Sequence, residues 1–216
     1  YTSDKIIELS KDCDGILSAI TDQFNKDLIE RLSPSIKIIA NFAVGFGNID
    51  VNAAVKKSIV VTNTPEVLDD STADISILLL LGASRKVLEA RRAAELQNWK
   101  WSADFMLGKQ MSNKRLGILG MGRIGRAVAK RARGFNMEIH YHNRSQLSKD
   151  LEQGAIYHKT VKDLFNHSDF LSINCPATKE TNKIINKETI AFLPDNVVIG
   201  NAARGDVVDD EAMIEA

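Results

Sequence analysis

Apolar residues recur in short runs, with stretches of helical period between them. "DGILSAI" (14–20), "IKIIANFA" (36–43) and "SIVVTN" (58–63) are apolar runs of strand length bounded by polar or turn residues. "KDLIERL" (26–32) and "IDVNAAVKK" (49–57) lie between them and read as helices. Such alternation predicts parallel βαβ units. The chain opens on the helix-like "SDKIIELSKD" (3–12). A parallel domain normally has a strand before such a helix, so the N-terminus is expected to be clipped. A long helical stretch follows, from about Asp69 to about Asn98. Thr72–Leu81 is apolar nearly all round and is expected to be buried. Arg85–Arg92 is mixed and charged, as an exposed or interface face would be. The stretch reads as one bridging helix or as two helices broken near Gly82, since an interior glycine weakens a helix.

A second series begins at "KRLGILGMGRIGRAVAKRARGFNMEIHYHNRS" (114–145), which reads as strand, glycine turn, helix and strand. "VKDLFNHS" (helix), "DFLSINCP" (strand), "NKETIAFL" (helix) and "NVVIGNAA" (strand) come next, and Asp209 begins a final, interrupted helix. No solenoid repeat and no low-complexity segment is visible.

Composition narrows the function classes. In 216 residues, 44% are hydrophobic, enough for a core, so disorder is not expected. The 28 acidic and 28 basic residues balance, which offers no argument for nucleic-acid binding. The four basic residues of "RAVAKRAR" (126–133) read as a solvated helix face. Cys13 and Cys175 are too far apart for a CxxC or metal-ligand pair, so no metal is expected. No signal peptide precedes the first helix, and the longest apolar run, Ile75–Ala83, is too short to span a bilayer. A soluble cytoplasmic protein without a membrane partner is the expectation.

Gly120-Met121-Gly122-Arg123-Ile124-Gly125 is G-x-G-x-x-G, a pattern that is weak alone. Here a short apolar strand, "RLGIL", precedes it and a helix, "RAVAKRA", follows. Gly120 permits the tight turn, Gly122 lets a pyrophosphate approach the backbone, and Gly125 lets the helix pack on the sheet. The N–H groups and dipole at the helix start favour phosphate. Dinucleotide binding is therefore expected of Gly120, Gly122, Arg123, Ile124 and Gly125. NAD enzymes usually carry Asp or Glu at the end of the next strand, where it meets the ribose 2′-hydroxyl. This chain has His142, Asn143, Arg144 and Ser145 there, and no acid. An arginine fork and a hydroxyl suit a 2′-phosphate. NADP(H) is therefore expected, with Asn143, Arg144 and Ser145 on the adenosine side. The alternative is a solvated Arg144 stacked on the adenine with no strong preference, leaving NAD(H) open.

"KIIANFAVGFGNIDVNAA", "VVTNTPEVLDDSTADISILLLL", "LGILGMGRIGRAVA", "NCPATKETNKIIN" and "NVVIGNAARGDVVDD" occur in one order. Together they resemble the D-isomer-specific 2-hydroxyacid dehydrogenases over nearly the whole chain. "YHNRS" and "AVGFGNID" look most like the glyoxylate/hydroxypyruvate reductase branch. The resemblance implies an α/β fold of two Rossmann- or flavodoxin-like domains with parallel sheets and the active site in the cleft between them. Residues 1–66 would be the substrate domain, completed by a C-terminal tail, and 67–216 the NAD(P)-binding domain, so the chain is expected to be truncated at both ends. The long helix and the "QNWKWSADF" arm look like the family's dimer contact, which would make Trp99 and Trp101 interface residues. Two core tryptophans are the alternative.

The same resemblance implies site roles. Val44 and Gly45 would offer backbone N–H groups to the substrate carboxylate. Thr72 would reach the nicotinamide end of the cofactor. Cys175 and Pro176 would border the adenosine, Thr181 would approach the phosphates, and Ala202 and Ala203 would line the nicotinamide. Arg204 would bind the 2-oxoacid, a planar fork suiting a carboxylate. The implied reaction is hydride transfer between NADP(H) and a small 2-oxo or 2-hydroxy acid, with glyoxylate or hydroxypyruvate expected. The family's proton donor is a histidine with a glutamate partner. Both would fall beyond residue 216. His140, His142, His158 and His167 are not expected to replace it, and Glu211 is not that glutamate. The other readings are an NAD-dependent dehydrogenase of another substrate branch and a dinucleotide-sensing, corepressor-like binding protein.

Overall fold

Polar side chains start the short helices of the first 68 residues. Thr2 accepts from the Lys5 N–H and caps α1 (Ser3–Ser10), and Asn25 caps α2 (Lys26–Arg31) through the Leu28 N–H. Asp50 caps α3 (Val51–Lys56) through the Ala53 N–H. Each cap satisfies a donor that the helix leaves open. Strands β1 (Gly15–Ala19), β2 (Ile38–Phe42) and β3 (Val60–Thr62) form a parallel sheet in the order β1-β2-β3. Phe24, Leu28, Ile29, Ile39 and Ala54 are buried on the helix-covered side. On the other face, Leu17, Phe42 and Val60 are 79%, 74% and 58% exposed. Parallel sheets are ordinarily covered on both faces, and the unit's own described residues cover one.

The computed structural model describes residues 1–97 and 99–216. Its contacts divide the chain into two units, Tyr1–Leu68 and Asp69–Ala216, a boundary two residues beyond the expected one.

The second unit opens with α4 (Asp69–Ser84) and α5 (Val87–Leu96). The stretch expected from Asp69 to about Asn98 is therefore two helices; Asn98 itself lies outside the described residues. The break falls at Lys86, which is left-handed (φ 53°), while Gly82 stays inside α4. A left-handed lysine leaves no compositional mark, which is why the glycine drew attention. The expectation that Thr72–Leu81 is buried all round is corrected as well. Ala73, Ser76, Ile77 and Leu80 are buried, whereas Ile75, Leu78 and Leu79 are 50%, 60% and 40% exposed. Only one stripe of α4 faces the rest of its unit.

Strands β4 (Arg115–Leu119), β5 (Glu138–His142), β6 (Ile156–Tyr157), β7 (Phe170–Ile173) and β8 (Val198–Asn201) form one all-parallel sheet, ordered β6-β5-β4-β7-β8. β7 is buried at every residue and β4 at all but Arg115, as expected of strands covered on both faces. α4 and α6 (Arg123–Arg133) lie on one side, over Leu116, Ile118, Ile139 and Phe170. α8 (Val161–Asn166) and α9 (Lys187–Ile190) lie on the other, with Leu119, Leu171 and Ile173. The four-residue α7 (Lys149–Glu152) and two-residue β6 were not foreseen, since so few residues show no period. α10 (Asp210–Glu215) closes the chain, capped by Asp209.

At the base of the sheet Asp169 accepts from the Arg115 N–H, Nε and Nη2 at 3.0, 3.0 and 2.9 Å. The guanidinium holds its carboxyl down to about 2. Lys109 Nζ donates to the carbonyls of Asp169 and Asn196 and lies over the Phe170 ring. The segment after α5 is thereby fastened to the sheet.

Candidate active site

The strand order reverses at β4. From it the chain steps outward to β5 and β6, then crosses back to β7 and β8. Ligands of open α/β sheets gather at the carboxyl ends of the strands at such a reversal. Gly120 follows β4 at this point, with φ +98°. A Cβ there would stand 2.6 Å from the Cys175 nitrogen, so backbone conformation and packing both require glycine. A Cβ on Gly125 would stand 2.2 Å from the Gly120 carbonyl oxygen, which explains how α6 approaches the turn so closely.

Gly122 differs, because nothing lies within 4 Å of where its Cβ would be. It is the N-cap of α6 and supplies no side-chain cap. The helix thus begins under open space, with the first-turn peptides of Arg123, Ile124 and Gly125 at its positive end. This cradle fits a pyrophosphate.

The adenosine-side residues follow β5. Asn143 Oδ1 accepts from the Met121 N–H at 2.7 Å. Its carboxamide oxygen is therefore committed to holding the glycine turn. Arg144 and Ser145 are exposed, and no Asp or Glu immediately follows β5 in the chain. Arg144 stands within electrostatic reach of Glu180, adding to a bond from Thr178 that holds that carboxyl below its usual value. Across the reversal, Cys175 is buried, which pushes its thiol up and makes it a packing residue, with Pro176 next to it. Thr181 lies in the loop that follows. Its hydroxyl donates to the Pro176 carbonyl at 2.6 Å and accepts from the Thr178 N–H at 2.8 Å. Both bonds make Thr181 a support of the loop that begins at Pro176.

Ala202, Ala203 and Arg204 follow β8. The Asn201 side chain accepts from the Ala203 N–H and donates to the Arg204 carbonyl, at 2.9 and 2.8 Å. Both bonds hold the bend before the 3-10 turn Gly205–Val207. Arg204 is exposed, donates to the Ala203 carbonyl and makes no ion pair among the described residues. Thr72 is half-buried in the first turns of α4, its carbonyl accepting from Ser76 Oγ.

In the first unit, the Val44 and Gly45 carbonyls accept from Asn63 Nδ2 and Asn41 Nδ2, both at 2.9 Å. Since peptides are trans, fixing a carbonyl also fixes the direction of the N–H that follows it. The loop rests on buried Ser18, Asn41 and Asn48, with Ser18 Oγ donating to Asn41 Oδ1 and Asn48 Nδ2 to the Asp22 carbonyl. Sequence reasoning missed this polar set. The signal was two asparagines within an otherwise apolar strand and loop, which a buried network explains.

The four histidines stand elsewhere. His140, His158 and His167 stack with ring centroids 4.9–5.6 Å apart on the β5–β6 side of the sheet. β5 is three strand spacings from β8, about 14 Å. Partners that can only accept assign the protons. His140 Nε2–H donates to Glu138, His142 Nδ1–H to the His158 carbonyl and His167 Nδ1–H to the Asp163 carbonyl. His140 Nδ1 is left to accept from His158 Nε2–H at 2.8 Å. The neutral rings satisfy one another, and a proton added to His140 forces His158 to change tautomer if the bond between them is to persist.

Burial pushes His140 and His158 below the ordinary histidine value, Glu138 and Asp163 opposing it and Arg115, His142 and His167 adding to it. A lowered folded-state value means that the stack's contribution to stability is present above about pH 6.5 and is lost as pH falls below it. The melting temperature is expected to fall between pH 7.5 and 5.5, and His140→Phe to flatten that slope. An unchanged slope in the variant would remove the stack as its cause.

Among the described residues no group of three or more His, Cys, Asp or Glu gathers as metal ligands would, and no helix is long and apolar enough to cross a membrane.

Residues 77–216 match the family described as D-isomer specific 2-hydroxyacid dehydrogenase, NAD binding domain. The glyoxylate reductase of Thermococcus litoralis is 39% identical over 98% of this chain and 65% of its own length. The glycerate dehydrogenase of Hyphomicrobium methylovorum is 38% identical over 100% of this chain and 68% of its own. Among solved structures, a glyoxylate reductase from Paecilomyes thermophila superposes with a TM-score of 0.91 at 37% identity, over 99% of this chain and 67% of that one. A D-lactate dehydrogenase from Aquifex aeolicus, solved with NAD and lactic acid, gives 0.88 at 28% identity, over 100% and 63%. The chain thus spans about 65% of the length of the first of these relatives. With the glycine turn at the strand reversal and Arg204 after β8, these likenesses make the chain a member of the D-isomer-specific 2-hydroxyacid dehydrogenase family, on the glyoxylate reductase branch.

Proposed function

We propose that the chain serves an NADP(H)-dependent reductase of a small 2-oxoacid, glyoxylate or hydroxypyruvate. The observation that carries this is an exposed arginine, without an ion-pair partner among the described residues, at the end of β8, on the same sheet edge as an open glycine cradle. In this reading Gly120, Gly122, Arg123, Ile124 and Gly125 hold the pyrophosphate, and Arg144 and Ser145 hold the 2′-phosphate. Thr72, Ala202 and Ala203 border the nicotinamide, which supplies a hydride when bound. Arg204 takes the substrate carboxylate by a two-pronged bond. The relatives' names support the substrate class, since glycerate is the reduced form of hydroxypyruvate.

The NADP(H) preference rests on the missing carboxylate after β5 and on Arg144. It is tested in a completed enzyme, with this chain joined to the remaining third of the Hyphomicrobium methylovorum relative. Catalytic efficiency with NADPH is expected to exceed that with NADH, and Arg144→Ala to lower the NADPH value by about tenfold or more, the worth of a charge-assisted pair. Equal use of NADH by the parent would sink the preference.

The partner reading is a second copy of the chain. α5 buries none of its residues, and Trp99 and Trp101 are 52% and 80% exposed, which supports interface residues over two core tryptophans. With Val87, Leu88 and Leu96 also exposed, this surface suits a homodimer contact.

A further inference from the structure

The loop between β5 and α7 carries Arg144 and Ser145 between two sets of anchors. Before them, Asn143 Oδ1 accepts from the Met121 N–H at 2.7 Å and its carbonyl accepts from the Tyr157 hydroxyl at 3.3 Å. After them, Gln146 Nε2 donates to Glu152 Oε1 at 2.7 Å, and the Leu147 N–H donates to the Tyr141 oxygen at 3.0 Å. Tyr141 in turn donates its proton to Glu152 Oε1 at 2.7 Å. Glu152 is 3% exposed and Tyr141 is fully buried.

A carboxylate is a costly residue to bury unless donors surround it. This one receives two donors on a single oxygen, and Lys149 lies 3.4 Å from the other. The charge gives the relay a direction, from the Leu147 N–H to Tyr141 to Glu152. Neither group titrates near neutrality. The Tyr141 hydroxyl is pushed up to about 12 by burial and the neighbouring carboxylate, and Glu152 is held below its usual value by Tyr141 and Gln146.

We propose that Glu152, acting through Tyr141 and Gln146, is a positioning residue that holds the Arg144–Ser145 loop in place for the adenosine ribose and thereby sets selectivity between the two nicotinamide dinucleotides. The proposal rests on reading Arg144 and Ser145 as the ribose-side residues. A two-residue arch pinned at both ends has little freedom left to lose on binding, so a 2′-phosphate meets groups already arranged for it. A loosened arch must be ordered by the ligand. That cost falls on NADPH, which uses the arch, far more than on NADH.

The test is calorimetric titration of the 216-residue chain with NADPH, NADH and 2′,5′-ADP. The variants are Glu152→Ala, Glu152→Gln, Gln146→Ala and Arg144→Ala, each checked for folding by its melting curve. Glu152→Ala and Gln146→Ala are expected to weaken NADPH and 2′,5′-ADP about tenfold and NADH less than about twofold, the scale of one lost bond to a charged group. Glu152→Gln is expected to restore most of the selectivity, because its amide oxygen still accepts from Tyr141 and Gln146. A merely structural role would lower the melting temperature and weaken both dinucleotides equally, and that result would overturn the proposal. Gln146 is exposed, so its variant reports even if Glu152→Ala does not fold. If Arg144→Ala collapses the selectivity and the brace variants do not, the brace alone is wrong. If Arg144→Ala leaves it unchanged, or the parent shows none, the ribose-side reading fails and takes the brace with it.

Discussion

Gly122→Asp is expected to abolish dinucleotide binding while leaving the melting temperature unchanged or slightly raised. The opposite signs come from one position. Gly122 is the N-cap of α6 in an extended conformation that any residue adopts, and a Cβ there meets nothing. An aspartate at an N-cap accepts from the first-turn N–H groups and favours the helix by a few tenths of a kcal/mol over glycine. The same carboxylate fills the space the pyrophosphate needs, takes its donors and adds a like charge. Binding should weaken at least about a hundredfold, the equivalent of two or three lost charge-assisted bonds. Gly125→Val is the control with the other outcome: a Cβ there runs into the Gly120 carbonyl, so folding itself should suffer. Titration calorimetry and thermal melting of both variants check this. Retained cofactor affinity in Gly122→Asp would place the pyrophosphate somewhere else.

The second large effect concerns proton transfer. Arg204 has no histidine beside it in its own unit, because all four of the chain's histidines belong to the β5, β6 and α8 side of the sheet. A positioned general acid contributes about 10² to 10⁴ in rate. The 216-residue chain alone is therefore expected to reduce glyoxylate at least about a hundredfold more slowly than the completed enzyme. In the completed enzyme, Arg204→Ala should lower kcat/KM by about 10³, since it would remove the bidentate charged pair proposed with the oxoacid. Arg204→Lys should recover only part, a point charge being no substitute for a planar fork. Stopped-flow or steady-state NADPH oxidation reads both. Turnover by the chain alone equal to that of the completed enzyme would mean that one of its own groups delivers the proton.

The glycine turn was legible in the sequence because its chemistry demands particular residues at particular spacings. The β-α alternation was legible because buried parallel strands are apolar runs. Features that rest on conformation or on distant partners left no such trace. The break between α4 and α5 uses a left-handed lysine, and nothing in "GASRKVLEA" announces it. "SKDLEQG" is too short to show a period, and only the fold brings Glu152 under the Tyr141 hydroxyl, eleven residues away. The bonds of Thr181 were hidden for a related reason. Its hydroxyl has one proton, and a carbonyl five residues back takes it. Asn143 is visible in the sequence as a polar residue after β5, but its engagement with Met121 appears only when β4 and β5 are set side by side.

Titration of the 216-residue chain with NADPH and with NADH tests the central claim most directly. One saturable site per chain is expected, tighter for NADPH and removed by Gly122→Asp. Failure to bind either dinucleotide, or tighter binding of NADH, would contradict it.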